Sequence, residues 1–230
     1  MKECFIETRN YIKLSEAMSR LEALPLTADR MGIAYGNFGL GKTFALERIA
    51  YKENALLLRS DQTWTVSSTL KKLAYELGLD ANGKSSTLFE RIIEELMKEP
   101  RVIIIDEIDT LLKSGKYEVF ELFRDIHDQT KNIIFFIGME DALAKIKRHR
   151  HYFSRLTEIV KFEPIYKEDI AKFCSLCEVK VEDDLIEYFA KRYQNLRQIK
   201  VFLLRLEEYA ELNDLETVNL KTFKSAGVEK

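Results

Sequence analysis

Apolar residues follow two rhythms along this chain. Short unbroken runs at 31–35, 55–58, 102–105 and 133–137 read as strands; the β-branched run at 102–105 has the pattern of one buried on both faces. Between them lie stretches with apolar positions three and four residues apart, which predict amphipathic helices at 7–24, 43–51, 66–77, 86–97 and 117–128. In the first of these the repeating positions are Tyr11, Leu14, Met18 and Leu21, and Pro25 closes it. Gly78 and the Asn82-Gly83 pair break the chain between the helices at 66–77 and 86–97. A fifth strand is predicted at 159–162, ending at Pro164. Strands alternating with helices predict an α/β fold, a parallel sheet flanked by helices. After Pro164 strand signals stop, and 167–177, 183–193 and 196–212 read as helices. The expected organisation is an N-terminal helical segment at 1–25, an α/β domain at 26–164 and a small all-helical domain at 165–230.

Composition narrows the function classes. The chain has 230 residues, of which 46% are hydrophobic and 32% charged, enough for a sizeable core and unlike a disordered chain. No apolar run reaches the roughly 18–20 residues needed to span a bilayer, and the first ten residues lack the apolar core of a secretory signal, so a cytoplasmic location is expected. The net charge of -2 means that any nucleic acid must be met by a local basic patch. Of three cysteines, Cys174 and Cys177 form a lone C-x-x-C without a second pair or nearby histidine, which reads as packing on a helix face rather than a zinc or redox site.

Two motifs carry chemistry. Gly36-Asn37-Phe38-Gly39-Leu40-Gly41-Lys42-Thr43, followed by Phe44, matches G-x-x-x-x-G-K-[ST] between an apolar strand and a helix. Glycines let the backbone aim its N–H groups at phosphate oxygens, and the helix start adds its positive end. Lys42 is expected to reach the β- and γ-phosphates of ATP, and the Thr43 hydroxyl to ligate Mg2+. The strand at 102–105 then ends in Asp106-Glu107. A carboxylate at such a tip can hold the metal shell, which assigns Asp106; the next, Glu107, is placed to polarise a water for in-line attack. Asp109 is expected to cap the segment that follows.

These residues resemble the AAA+ class of P-loop ATPases, whose α/β domain is followed by a helical lid. Within that class the chain resembles the transposition helper ATPases, the Mu transposition protein B family and its counterparts in Tn7-like elements. The resemblance rests on the phosphate loop with Thr63-Trp64-Thr65, on Ile104-Ile105-Asp106-Glu107-Ile108-Asp109, on Ile137-Gly138-Met139-Glu140-Asp141-Ala142-Leu143, on Phe153-Ser154-Arg155-Leu156 with Val160-Lys161-Phe162-Glu163-Pro164, and on Asn195-Leu196-Arg197-Gln198-Ile199. It implies that Arg155 is an arginine finger acting in a neighbouring subunit, with Arg148 and Arg150 as competitors, within a homo-oligomeric ring or helical filament. It implies that Arg197 is the second sensor, reporting the γ-phosphate from the lid. One departure stands out: the tip of the fourth strand carries Gly138 and Met139, with Glu140 and Asp141 just after, where the class has a polar first sensor, so hydrolysis is expected to be slow or stimulated by DNA or a partner.

The resemblance further implies non-specific binding of double-stranded DNA, with a transposase as partner. About 25 residues precede the ATPase core, so DNA is expected to meet the core itself. Candidate contacts are Lys71, Lys72, Lys113, Lys116, Arg148 and Arg150, with Trp64 read either as a stacking or wedging ring or as packing. The rival readings are a replication-initiator or helicase-loader-like ATPase with the same catalytic residues, and a nucleotide-gated switch or scaffold that binds no DNA.

Overall fold

A computed structural model describes every residue except Glu3, Gln194, Glu229 and Lys230. Its contacts divide the chain into two compact units. The larger comprises Lys13–Gly36 and Thr43–Lys161; the other comprises Met1–Ile12, Asn37–Lys42 and Phe162–Lys230. The first helix, α1 (Arg9–Ala23), and the phosphate loop therefore both contribute residues to each unit.

The larger unit is built on five parallel strands, β1 (Met31–Tyr35), β2 (Leu56–Arg59), β3 (Ile103–Asp106), β4 (Ile134–Gly138) and β5 (Leu156–Lys161), in the order β2-β3-β4-β1-β5. Parallel neighbours require crossover connections, and helices supply them: α2 (Lys42–Lys52), α3 (Val66–Glu76), α4 (Ser85–Lys98), the short α5 (Asp109–Ser114), α6 (Tyr117–Thr130), and the short α7 (Ala142–Lys147) and α8 (Arg150–Phe153). The unbroken apolar runs became the buried strands: β3 and β4 are buried at every position. Edge strand β5 starts three residues before the predicted 159, because it alternates half-buried or buried positions with exposed ones and offers no continuous apolar run.

The other unit holds α9 (Lys167–Cys174), α10 (Asp183–Arg192), α11 (Leu196–Leu212) and α12 (Leu220–Ser225). It is not wholly helical, as the sequence reading expected. β6 (Lys180–Val181) and β7 (Thr217–Val218) form a two-residue parallel pair, too short to leave an alternation signal. In its core Phe189 stacks on Phe202 and both meet Phe223 edge-to-face, at centroid distances of 5.3–6.1 Å. Cys174 and Cys177 are both buried, and burial pushes both thiols up to about 12. They stay protonated at neutral pH and behave as packing residues. Among the described residues, no helix is long and apolar enough to cross a membrane.

Candidate functional site

The phosphate loop leaves β1 at Tyr35 and enters α2 at Lys42. Gly39 and Gly41 have φ of 75° and 85°, left-handed values that only glycine adopts without strain, so the motif's glycines are required by its backbone path. Lys42 donates from Nζ to the Asn37 carbonyl at 2.6 Å, folding its ammonium back over the loop. Phe38 and Phe44 are exposed, while Leu40 is buried and anchors the loop.

The beginning of α11 belongs to the same unit as Asn37–Lys42 and touches it directly. The Leu196 N–H donates to the Gly39 carbonyl at 2.8 Å. Asn195 caps α11 by accepting the Arg197 and Gln198 N–H groups at 3.0 and 3.3 Å. A Cβ at Gly39 would overlap the Asn195 carboxamide. Arg197 therefore sits in the first turn of a helix that is hydrogen-bonded to the phosphate loop, with its side chain exposed. Gly39→Ala should strain the loop and push Asn195 from its cap. The expected cost is about 1–3 kcal/mol, read as a lower Tm in thermal unfolding.

The acid pair stands at the carboxyl edge of the sheet, where β3 ends and from which the phosphate loop also leaves β1. Asp106 is buried, and its Oδ1 accepts the Glu107 N–H at 2.8 Å. Glu107 takes φ of 58°, left-handed for a residue with a side chain. Local bonds hold it there: its carbonyl accepts from Ser60 Oγ at 2.7 Å and from Thr110 Oγ1 at 3.0 Å. This enforced turn keeps the Glu107 carboxylate exposed while Asp106 faces inward.

Arg59, at the end of β2, is a site residue that the sequence reading missed. Its Nη2 lies 3.6 Å from Asp106 Oδ2 and its Nε lies 3.8 Å from Glu107 Oε1. Ser60 was missed as well. Neither belongs to a motif, and only the pairing of β2 with β3, which sets Arg59 opposite Asp106, brings them to the acids.

Asp109 does not cap α5, contrary to expectation. Its Oδ2 accepts the Met139 N–H at 2.6 Å, across to the residue after β4.

Arg155 lies just before β5, half-exposed, with Nη1 2.7 Å from Asp29 Oδ1 and Nη2 3.5 Å from Asp128 Oδ2. The hydrogen bond to Asp29 and the charge of Asp128 hold its guanidinium above its usual pKa. Asp29, Asp128 and buried His127 have metal-like spacing. The donor set does not suit a cation, however. His127 Nε2 accepts the Arg30 N–H at 3.3 Å and its Nδ1 bonds the Asn132 carbonyl at 2.8 Å, so both ring nitrogens are used. Burial pushes its pKa down, and a guanidinium already neutralises the two acids.

The DNA candidates separate by exposure. Trp64 is fully buried and packs 6.4 Å from Phe123, so it cannot stack on a base or wedge a duplex; the packing reading holds because its indole fills the core beneath α3. Lys72 pairs with Asp61 at 2.9 Å and lies over the Trp64 ring. Hydrogen bonds from Thr63 and Lys72 hold Asp61 down at about 2. Lys116 donates to the Gln62 carbonyl. Lys71, Lys113, Arg148 and Arg150 are exposed. Lys71 and Lys72, with Arg59 and Tyr75, border an open cleft of about 480 Å³ beside β2.

Comparison with known proteins fits this geometry. Residues 26–146 match the AAA domain family. The chromosomal replication initiator protein DnaA of Thermosipho melanesiensis is 30% identical over 202 residues, covering 83% of this chain and 44% of that protein. The chain thus spans less than half the length of this relative. Among solved structures, the Aeropyrum pernix ORC2 protein in its ADPNP-ADP complexes superposes with a TM-score of 0.69 at 17% identity, covering 99% of this chain and 70% of that one. The Aeropyrum pernix ORC1 protein in complex with DNA gives a TM-score of 0.64 at 18% identity, covering 97% and 66%. Both solved structures are likenesses of fold. With the matched segment spanning more than half of its residues and the phosphate loop and acid pair in place, the chain belongs to the AAA domain family, within the AAA+ P-loop ATPases.

Proposed function

We propose that this chain is an ATP-dependent DNA-binding ATPase of the replication-initiator kind. The observation that carries the ATPase part is the carboxyl edge of the sheet, where β1 opens into a glycine-turned phosphate loop and β3 ends in a buried and an exposed acid. These residues fit magnesium-ATP: left-handed glycines turn N–H groups toward an anion, an ammonium folds over the loop, and a hydroxyl and a buried carboxylate offer oxygen ligands. Thr43 and Asp106 would hold magnesium, which when bound neutralises charge on the phosphate oxygens.

In this reading the backbone from Gly36 to Thr43 binds the phosphates, and Lys42 leaves the Asn37 carbonyl for the β- and γ-oxygens. Glu107 takes the proton of the attacking water. Arg59 restrains the Glu107 carboxylate until substrate is seated. Arg197 reads the γ-phosphate, and because α11 is bonded to the loop, its movement follows the loop's. Arg155 acts as the finger in a neighbouring copy, and must first leave Asp29 and Asp128.

The initiator reading is favoured over transposition target selection by the relatives themselves. The DnaA relative at 30% identity is a replication initiator, and the Aeropyrum pernix ORC1 protein, which shares the fold, is seen in complex with DNA. For this chain the DNA-facing residues proposed are the exposed Lys71, Lys113, Arg148 and Arg150.

Fluorescence anisotropy with labelled duplex DNA, with and without a non-hydrolysable ATP analogue, tests the reading. Binding should appear with nucleotide and fall linearly on a log-log plot against salt. Changing Arg148 and Arg150 together to alanine should lower the salt slope by about 1 for each DNA phosphate that is no longer neutralised. Absence of binding at low salt with nucleotide present would remove DNA from the proposal and leave a nucleotide-gated switch.

A further inference from the structure

Asp109 is a buried acid without an assigned role. It lies three residues after Asp106 and is 6% exposed. Oδ2 is spent on the Met139 N–H, while Oδ1 is buried and has no hydrogen-bond partner among the described residues. The surroundings leave it little freedom. A Cβ at Gly138 would overlap Ala142 and come within 3.1 Å of Ile108 Cγ1 and 3.3 Å of Asp109 Oδ2. The Ile108 N–H donates to the Ile137 carbonyl at 3.0 Å, so two bonds join the segment after β3 to the tip of β4, this one and the one that the Asp109 carboxylate accepts from Met139.

A carboxylate with one oxygen unpaired in the interior works against stability, and packing would be served better by a neutral isostere. Burial raises its pKa and repulsion from Asp141 adds to that, while the Met139 N–H, its own main-chain N–H and Lys145 oppose it. Groups held at such a cost concentrate where chemistry uses them. Here the place is specific: the tip of β4, where Gly138 and Met139 offer no polar side chain.

We propose that Asp109 is a positioning residue for ATP hydrolysis, supplying from the start of α5 the polar group that β4 lacks at its tip: Oδ2 fixes the Met139 main chain, and Oδ1 accepts a hydrogen bond made only when nucleotide is seated. Asp109 acts through Met139, in the same strand tip whose Ile137 carbonyl holds the Ile108 N–H beside Glu107. The inference rests on the ATPase reading above.

Asp109→Asn is the discriminating variant. The amide oxygen can keep the Met139 bond, while the NH2 replaces the unpaired acceptor with a donor and removes the charge. The expected result is a kcat lowered at least about tenfold, with ATP Kd within about twofold of the parent and an unchanged or higher Tm. A kcat within about twofold of the parent overturns the proposal, as does a variant that folds but loses ATP affinity in step with kcat. If the variant does not fold, hydrogen exchange of the parent decides. The Met139 amide should exchange more slowly with a magnesium-ATP analogue bound, and unchanged exchange overturns the proposal. Absence of turnover in the parent defeats the ATPase reading and this inference together; parent turnover matched by Asp109→Asn defeats this inference alone.

Discussion

Lys42→Ala should weaken magnesium-ATP binding by about 10- to 100-fold and leave no measurable turnover. The ammonium is the only side-chain cation in the Gly36–Thr43 motif. It donates to the Asn37 carbonyl at 2.6 Å, a bond it can exchange for phosphate oxygens. A hydrogen bond to a charged group contributes about 1.5–3 kcal/mol net, which converts to that range of affinity. Glycine geometry and the α2 start are untouched, so residual weak binding through backbone N–H groups is expected. A nucleotide titration by fluorescence or calorimetry reads the change directly. An affinity equal to the parent's would remove the phosphate loop from the mechanism and the ATPase reading with it.

Glu107→Gln should separate binding from chemistry. Turnover is expected to fall by about 10²–10⁴, the usual contribution of a positioned general base, while ATP affinity stays near that of the parent. Glutamine tolerates the left-handed backbone about as well as glutamate, and the carbonyl clamp from Ser60 and Thr110 does not involve the side chain. The substitution therefore removes a base without rebuilding the turn. It also removes one of the two carboxylates near Arg59 and leaves Asp106 in place. Phosphate release under saturating ATP measures the loss. Turnover within a few-fold of the parent would move the base elsewhere, and an equal fall in affinity would mean that Glu107 serves the metal rather than the water.

Much of this site was legible in the sequence because its chemistry is local. The phosphate loop needs glycines, a lysine and a hydroxyl within eight residues, between a strand and a helix, and each can be recognised there. The acid pair was legible for the same reason, as two carboxylates at the end of an apolar run. Arg59 was not, since nothing in Leu-Leu-Leu-Arg announces that β2 will pair with β3 and set the guanidinium beside Asp106. Trp64 was ambiguous until its burial was known, because a lone tryptophan has the same sequence signature inside a core or on a surface. Asp109 read as a helix cap, the usual use of an aspartate at such a position, whereas its partner lies thirty residues away.

By itself the sequence determined the class of fold, the place of four of the five strands within a residue or two, and the phosphate and acid motifs. Each follows from hydrophobic period or from chemistry confined to neighbouring residues. Only the tertiary structure decided which groups meet: Arg59 with the acid pair, Asn195 and Leu196 with Gly39, Arg155 with Asp29 and Asp128, and Asp109 with the main chain just after β4. Strand order, edge alternation and a two-residue β pair likewise emerged only on folding. The physical reason is range. Periodicity and turn chemistry act over a few residues, while these contacts join positions up to about 160 apart, and their energies exist only once the sheet and the helical unit have formed.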